Sequence, residues 1–136
     1  MTLEEIQQQV TEDLPVRPDN LEGAALDNMK LYSKYLTMLS GLKLEMRRAL
    51  SNLNEVKTQQ FKYYSGKDHE KVFEFVLSAT EIKQFMSGDA AIIKAEMKLE
   101  LVRAKVELLE ETLKAIRDRG FTIKNVIDLR KLEAGY

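Results

Sequence analysis

From Asn20 to Tyr64 the chain runs without a proline or a polar gap wide enough to break a helix, and this stretch limits what the rest can build. Ala25, Met29, Tyr32, Leu36 and Leu39 recur at alternating spacings of four and three, the seam of a helix that packs on other helices. Leu42, Met46, Leu50, Leu53 and Val56 carry it on after a step of three where four was due. That drift favours a bundle over a perfect two-stranded coiled coil. Pro18 cannot continue a preceding helix, and Asp19 with Glu22 reads as the N-cap and N3 pair of a capping box. At the other end Tyr63-Tyr64-Ser65-Gly66 supplies a glycine for a left-handed cap, followed by the polar turn Lys67-Asp68-His69. The long helix is therefore expected over 20–64, on the order of 65 Å at about 1.5 Å per residue. A helix of that length needs partners along all of it.

A second long helix is expected over 89–119. Asp89 caps it, and Ile92, Ala95, Leu99, Val102, Val106, Leu109, Leu113 and Ile116 alternate threes and fours. Ile93, Met97, Leu101 and Leu108 add a second apolar stripe, which suits a helix packed between neighbours. Lys114, Arg117 and Arg119 read as the last turn, Gly120 as the stop and Phe121 as the apolar contact of a Schellman motif. Thr122 then reads as the cap of a final helix over 122–136 that carries Ile123, Val126, Ile127 and Leu132.

Shorter elements fill the remainder. Thr2 with Glu5 forms a capping box for a short helix whose Leu3, Ile6, Val10 and Leu14 share a face, and Pro15 ends it. Residues 1–18 thus form an arm joined through the stiff Pro15-Val16-Arg17-Pro18 connector. Residues 71–77, Lys-Val-Phe-Glu-Phe-Val-Leu, fit a short strand or an apolar helical turn, and the strand is favoured. Ser78 to Glu81 is a third capping box, opening a helix that runs to Ser87 and closes at Gly88. The expected class is mainly α: one helical domain over 1–136, a long-helix bundle with one short strand near 71–77.

Composition narrows the function. With 136 residues there is material for one modest core, and 44% hydrophobic with 32% charged residues fits a soluble helical protein. No apolar run approaches the roughly 20 residues of a membrane span, and the acidic start Met1-Thr2-Leu3-Glu4-Glu5 is unlike a signal peptide. The expectation is a cytoplasmic protein with no membrane partner. One histidine and no cysteine leave most catalytic and thiolate metal constellations unbuildable. His69, between Asp68 and Glu70, reads as a solvated loop residue, and there is no Glu-x-x-His pair or glycine-rich phosphate loop. The chain is read as a non-enzyme without metal or cofactor.

The net charge of −1 hides a strong polarity. Residues 1–29 hold seven acids against Arg17, a balance of −6, whereas residues 30–67 hold eight Lys or Arg against Glu45 and Glu55, a balance of +6. A basic middle on a nearly neutral protein points to an anionic partner along the first long helix. A solvated lysine face is the plain alternative. On a helical wheel Lys30, Lys34, Arg48 and Lys62 lie opposite the seam, with Lys43, Arg47 and Lys57 on its flank. Lys57, Lys62 and Lys67 bracket Phe61, Tyr63 and Tyr64. Cations that follow a backbone, interleaved with aromatics on which bases stack, suit single-stranded nucleic acid. The rival reading is that aromatics at a helix end plug a core. Lys57, Lys62, Tyr63, Tyr64, Lys67 and Arg48 are the candidate DNA-binding residues.

Four blocks carry a resemblance: Leu31-Tyr32-Ser33-Lys34-Tyr35-Leu36, Tyr63-Tyr64-Ser65-Gly66-Lys67, Val76-Leu77-Ser78-Ala79, and Ala115 to Lys124 followed by Glu133-Ala134-Gly135. In this order, and in a chain of this length, they resemble the UvsY recombination mediators of T-even-type bacteriophages. The resemblance runs end to end, although 89–114 match only in helical character and the loop after Gly66 is shorter than the family's. It implies a protein that binds single-stranded DNA, contacts the phage single-strand-binding protein and the phage recombinase, and helps the recombinase replace the former. It also implies a homo-oligomeric ring of about six or seven subunits. Assembly would run through C-terminal residues, here Phe121, Ile123, Val126, Ile127 and Leu132. One departure bears on the site. Where the family places Lys-Ala-Arg-Leu before Asp-Tyr-Tyr-Ser-Gly, a stretch implicated in DNA binding, this chain has Thr58-Gln59-Gln60-Phe61 and then Lys62. A non-enzymatic helical adaptor or structural phage protein without DNA binding is the alternative reading.

Overall fold

The computed structural model describes residues 1–135 and contains four helices: α1 (Leu3–Asp13), α2 (Leu21–Tyr64), α3 (Ala79–Ser87) and α4 (Ala90–Glu133). The chain divides into two compact units, one of Met1–Lys43 with Ala104–Tyr136 and one of Leu44–Arg103.

In the first unit α1, the start of α2 and the end of α4 enclose a core of Ile6, Leu21, Ala24, Tyr35, Leu39, Val106, Leu109, Leu113, Ile116 and Ile123. Thr2 and Glu5 close the expected capping box on α1. The acidic arm is docked rather than free. Ile6 is buried, and Asp13 Oδ2 accepts from both Lys34 Nζ and Tyr35 Oη at 2.7 Å. Burial pushes the Asp13 carboxyl up, but the Lys34 and Tyr35 hydrogen bonds outweigh it and leave the group below its ordinary value. Lys34, expected to be free for a phosphate, is thus held by Asp13.

Three sequence expectations change here. The α2 cap is Asn20, whose Oδ1 accepts from Gly23 N at 3.0 Å, one residue after the expected Asp19. The buried face of early α2 is Leu21, Ala24, Asn28, Leu31 and Tyr35, rotated from the expected seam, so Met29 and Leu36 are exposed. A polar Asn28 on the inner face is what hides this register from an apolar template. Finally, α4 does not stop at residue 119; it continues through Gly120, and Thr122 caps nothing because it is mid-helix. Gly120 extends the seam itself, four residues after Ile116 and three before Ile123. A Cβ there would lie 3.0 Å from Asn28 Nδ2, so the glycine marks close helix approach rather than a terminus.

Arg119, 9% exposed, fills the space beside that approach. Its Nε donates to Leu14 O at 2.9 Å, and its Nη1 donates to Ala24 O at 3.0 Å and to Asn28 Oδ1 at 2.9 Å. Asn28 Nδ2 in turn donates to Ile116 O at 3.0 Å. One planar guanidinium ties the end of α1 and the start of α2 to α4.

In the second unit the later part of α2 lies antiparallel to the start of α4, with Leu53, Ile92, Ala95 and Leu99 buried and Met46, Ala49, Val56 and Met86 packed on them. Ser78 and Glu81 form the expected capping box on α3. Residues 71–77 are not a strand, and there is no strand among the described residues. An extended segment needs a ladder partner for its backbone groups, and none of the neighbouring elements is extended. Phe73 instead joins an aromatic cluster, while Phe75 and Val76 face outward.

Candidate nucleic-acid interface

The C-terminal end of α2 is closed by a Schellman motif. Lys67 N donates to Lys62 O at 2.9 Å and Gly66 N to Tyr63 O at 3.2 Å, with Gly66 at φ 74°. This reversal brings Asp68 and Lys71 back alongside the last turn of α2. Lys67 Nζ stands 5.9 Å from the centroid of the Phe61 ring, close enough for a cation–π contact.

The two tyrosines serve packing first. The Tyr64 ring meets Phe73 at 5.3 Å and Phe85 at 5.8 Å, and Tyr63 meets Phe73 at 5.2 Å, nearly edge-on. Edge-to-face geometry of this kind knits the 67–78 loop and α3 to the helix end. Tyr64 Oη and Gln60 Nε2 each donate to Asp89 Oδ2 at 2.7 Å. The other oxygen of Asp89 accepts Ile92 N at 3.0 Å, which confirms its expected role as the α4 cap. Burial works to raise the Asp89 pKa, yet the Tyr64, Gln60 and backbone donors prevail and hold it below the usual value. The Asp89 hydrogen bond, then burial, pushes the Tyr64 hydroxyl up to about 12.

The candidate cations do not make one patch. Arg48, Lys57, Lys62 and Lys67 are all exposed, and none forms an ion pair among the described residues. Arg48 and Lys62, two heptads apart, share a face of α2, roughly 21 Å from one another along the axis. Lys57 instead lines the groove between α2 and α4 near Glu96 and Glu100. Lys67 sits past the helix end.

Sequence reasoning missed a cavity of about 320 Å³ at this helix end, lined by Gln59, Gln60, Tyr63, Asp68, Lys71 and Val72. Gln59 Nε2 donates to Asp68 Oδ2 at 3.2 Å, while Asp68 Oδ1 accepts Glu70 N and Lys71 N at 3.0 and 3.3 Å. Gln60, with Thr58, stands where the resemblance places basic residues. Nothing in the spacing of Gln59 and Gln60 marks them as a pair facing a loop; only the Schellman turn assembles the cavity.

The candidate assembly residues also separate. Phe121 and Leu132 are 67% and 71% exposed, Val126 and Ile127 are half-buried, and Ile123, at 2%, belongs to the core of the first unit. Among the described residues no helix is long and apolar enough to cross a membrane. Nor do three or more His, Cys, Asp or Glu side chains gather there to hold a metal ion.

Comparison with known proteins places this architecture. The recombination protein uvsY of Enterobacteria phage T4 is 31% identical over 136 residues, covering 99% of both chains. A crystal structure of the bacteriophage T4 recombination mediator protein UvsY superposes with a TM-score of 0.93 at 30% identity, covering 99% of each chain. A second lattice of the same protein gives 0.91 over 97% of this chain and 99% of the other. A family model described as recombination, repair and ssDNA binding protein UvsY matches residues 9–136. From α1 to the end of α4, the chain belongs to the UvsY family.

Proposed function

We propose that the protein is a recombination mediator that binds single-stranded DNA and helps the phage recombinase replace the single-strand-binding protein, in the cytoplasm of the infected host. The carrying observation is the end-to-end match to UvsY proteins in a chain whose Arg48, Lys62 and Lys67 stand exposed and unpaired at and before the end of α2. Cations placed so can follow a phosphate backbone, and none of them is committed to an acid.

The working form is a homo-oligomer. Ile93, Met97 and Leu101 stay exposed on one stripe of α4, as do Leu26 and Met29 on α2, and Phe121, Leu129 and Leu132 near the C-terminal end of α4. So many large apolar side chains in water suit a surface covered by further copies. Repetition of a weak strand contact around such a ring raises avidity through effective concentration.

Two assays test the reading. Fluorescence anisotropy with a labelled single strand should show binding that weakens steeply with salt. A strand-exchange assay, with recombinase and single-strand-binding protein present, should then show faster recombinase loading when the protein is added. Absence of strand binding at low salt would leave the protein as a helical adaptor.

A further inference from the structure

The 67–78 loop carries an apolar knob that its own chain leaves uncovered. Phe73 packs against Tyr63, Tyr64 and Phe85, and Asp68 Oδ1 accepts Glu70 N and Lys71 N, so the loop is pinned at its base. The Phe75 ring leans on Phe73 at 5.8 Å, yet Phe75 and Val76 stand exposed. A knob held this firmly loses little freedom when it docks.

The same compact unit offers a matching recess. Ile93, Met97 and Leu101, each four residues after the last, form an exposed stripe of α4 and line a cavity of about 650 Å³, to which Gly88 contributes no side chain. That volume is ample for two apolar side chains, and methionine adapts its shape to what it covers. The signs of charge also match. The recess is lined by Lys94 and Lys98 and by no acid, whereas residues 68–76 hold Asp68, Glu70 and Glu74 against Lys71. Glu70, Glu74, Lys94 and Lys98 are all exposed, and none forms an ion pair among the described residues. Two α4 stripes packed on each other would gather four lysines around one apolar seam, so the charges favour the loop as occupant.

We propose that the recess along Ile93, Met97 and Leu101 receives Phe75 and Val76 from a second copy of this chain, with Glu70 and Glu74 set against Lys94 and Lys98. The contact is head-to-tail: each copy donates a knob and accepts one, and repetition closes into a ring where the rotation allows. The inference rests on the homo-oligomer reading above and gives that assembly a direction.

The experiment mixes two full-length variants, one with Phe75→Asp and Val76→Asp in the loop, the other with Met97→Asp in the recess. All three side chains are exposed, so helix content by circular dichroism should be unchanged. By light scattering each variant alone should fall to the mass of a single chain. Mixed in equal amounts they should pair at twice that mass, because one intact knob then meets one intact recess. Glu70→Lys with Glu74→Lys should also lower the mass of the assembly, and adding Lys94→Glu with Lys98→Glu to the same chain should restore it. A variant that keeps the mass of the unaltered assembly, or a mixture no heavier than its components, overturns the proposal. An unaltered protein that runs as a single chain would instead overturn the homo-oligomer reading itself.

Discussion

A β-carbon on Gly120 would stand 3.0 Å from Asn28 Nδ2, and Asn28 cannot step aside. Its amide is held on one side by Arg119 and on the other by Ile116 O. This proximity decides the sign of a substitution that helix propensity alone would favour.

Gly120→Ala should therefore destabilise the protein by about 1–2 kcal/mol, although alanine is worth about 1 kcal/mol over glycine in a helix interior. Gly41, also helical, has open space around its Cβ position, and Gly41→Ala should stabilise by about 0.5–1 kcal/mol. Urea denaturation of the two variants side by side reads the contrast, and a stabilised Gly120→Ala would contradict the close approach.

Arg119→Lys keeps the charge but loses the planar fork that serves Leu14 O, Ala24 O and Asn28 Oδ1. A loss of about 2–4 kcal/mol is expected, since a single ammonium cannot reach all three acceptors and the buried Ala24 O or its neighbours go without a donor. Hydrogen exchange should show the change at α1 and early α2. Uniform loosening would point elsewhere.

The Asp89 carboxyl sits below its ordinary value of 3.8 in the folded protein, so its contribution is complete above that value and fades as pH falls through the depressed folded pKa. The Tyr64 hydroxyl, raised from 10.0 to about 12, contributes fully below 10.0, and that contribution disappears as pH rises through its folded pKa. The pair thus stabilises a plateau between these limits. Tyr64→Phe should lower stability across the plateau by about 1 kcal/mol and soften the alkaline limb. Denaturation midpoints against pH test both.

Lys62→Ala with Lys67→Ala should weaken single-strand binding and reduce the slope of log K against log salt by about 0.7 for each phosphate that is no longer neutralised. Oligomer mass should not change. An unaltered slope would shift the strand toward Lys30 and Arg48.

Phe121→Asp and Leu132→Asp alter exposed side chains and should change the mass seen by light scattering while leaving helix content intact. Ile123→Asp is different. It buries a carboxylate in the core of the first unit and should unfold that unit, so loss of assembly there would say nothing about subunit interfaces.

The second helix was the most legible part of the chain: every seam residue from Ile92 to Ile116 is buried. Its true length was not legible, because a glycine after a basic turn looks the same whether it ends a helix or lets another helix approach. The early seam of α2 was masked for a related reason, a polar Asn28 at an inward position whose partner, Arg119, is 91 residues away. The apolar run over 71–77 fits a strand or a helical turn equally in its periodicity, and the strand fails because pairing is a property of the neighbours, not of the segment. For the site, exposed lysines could be read from a wheel. The Gln59–Asp68 cavity could not, since it exists only once the chain has doubled back at Gly66.

Asp89 caps α4 with one oxygen and anchors Tyr64 and Gln60 with the other. An alanine scan scored only by DNA retention would thus count Tyr64 as a contact even if no nucleotide ever touched it. Mapping this surface requires each variant's fold to be weighed alongside its affinity, and Lys62, exposed and in no ion pair among the described residues, is the position where the two readings come apart cleanly.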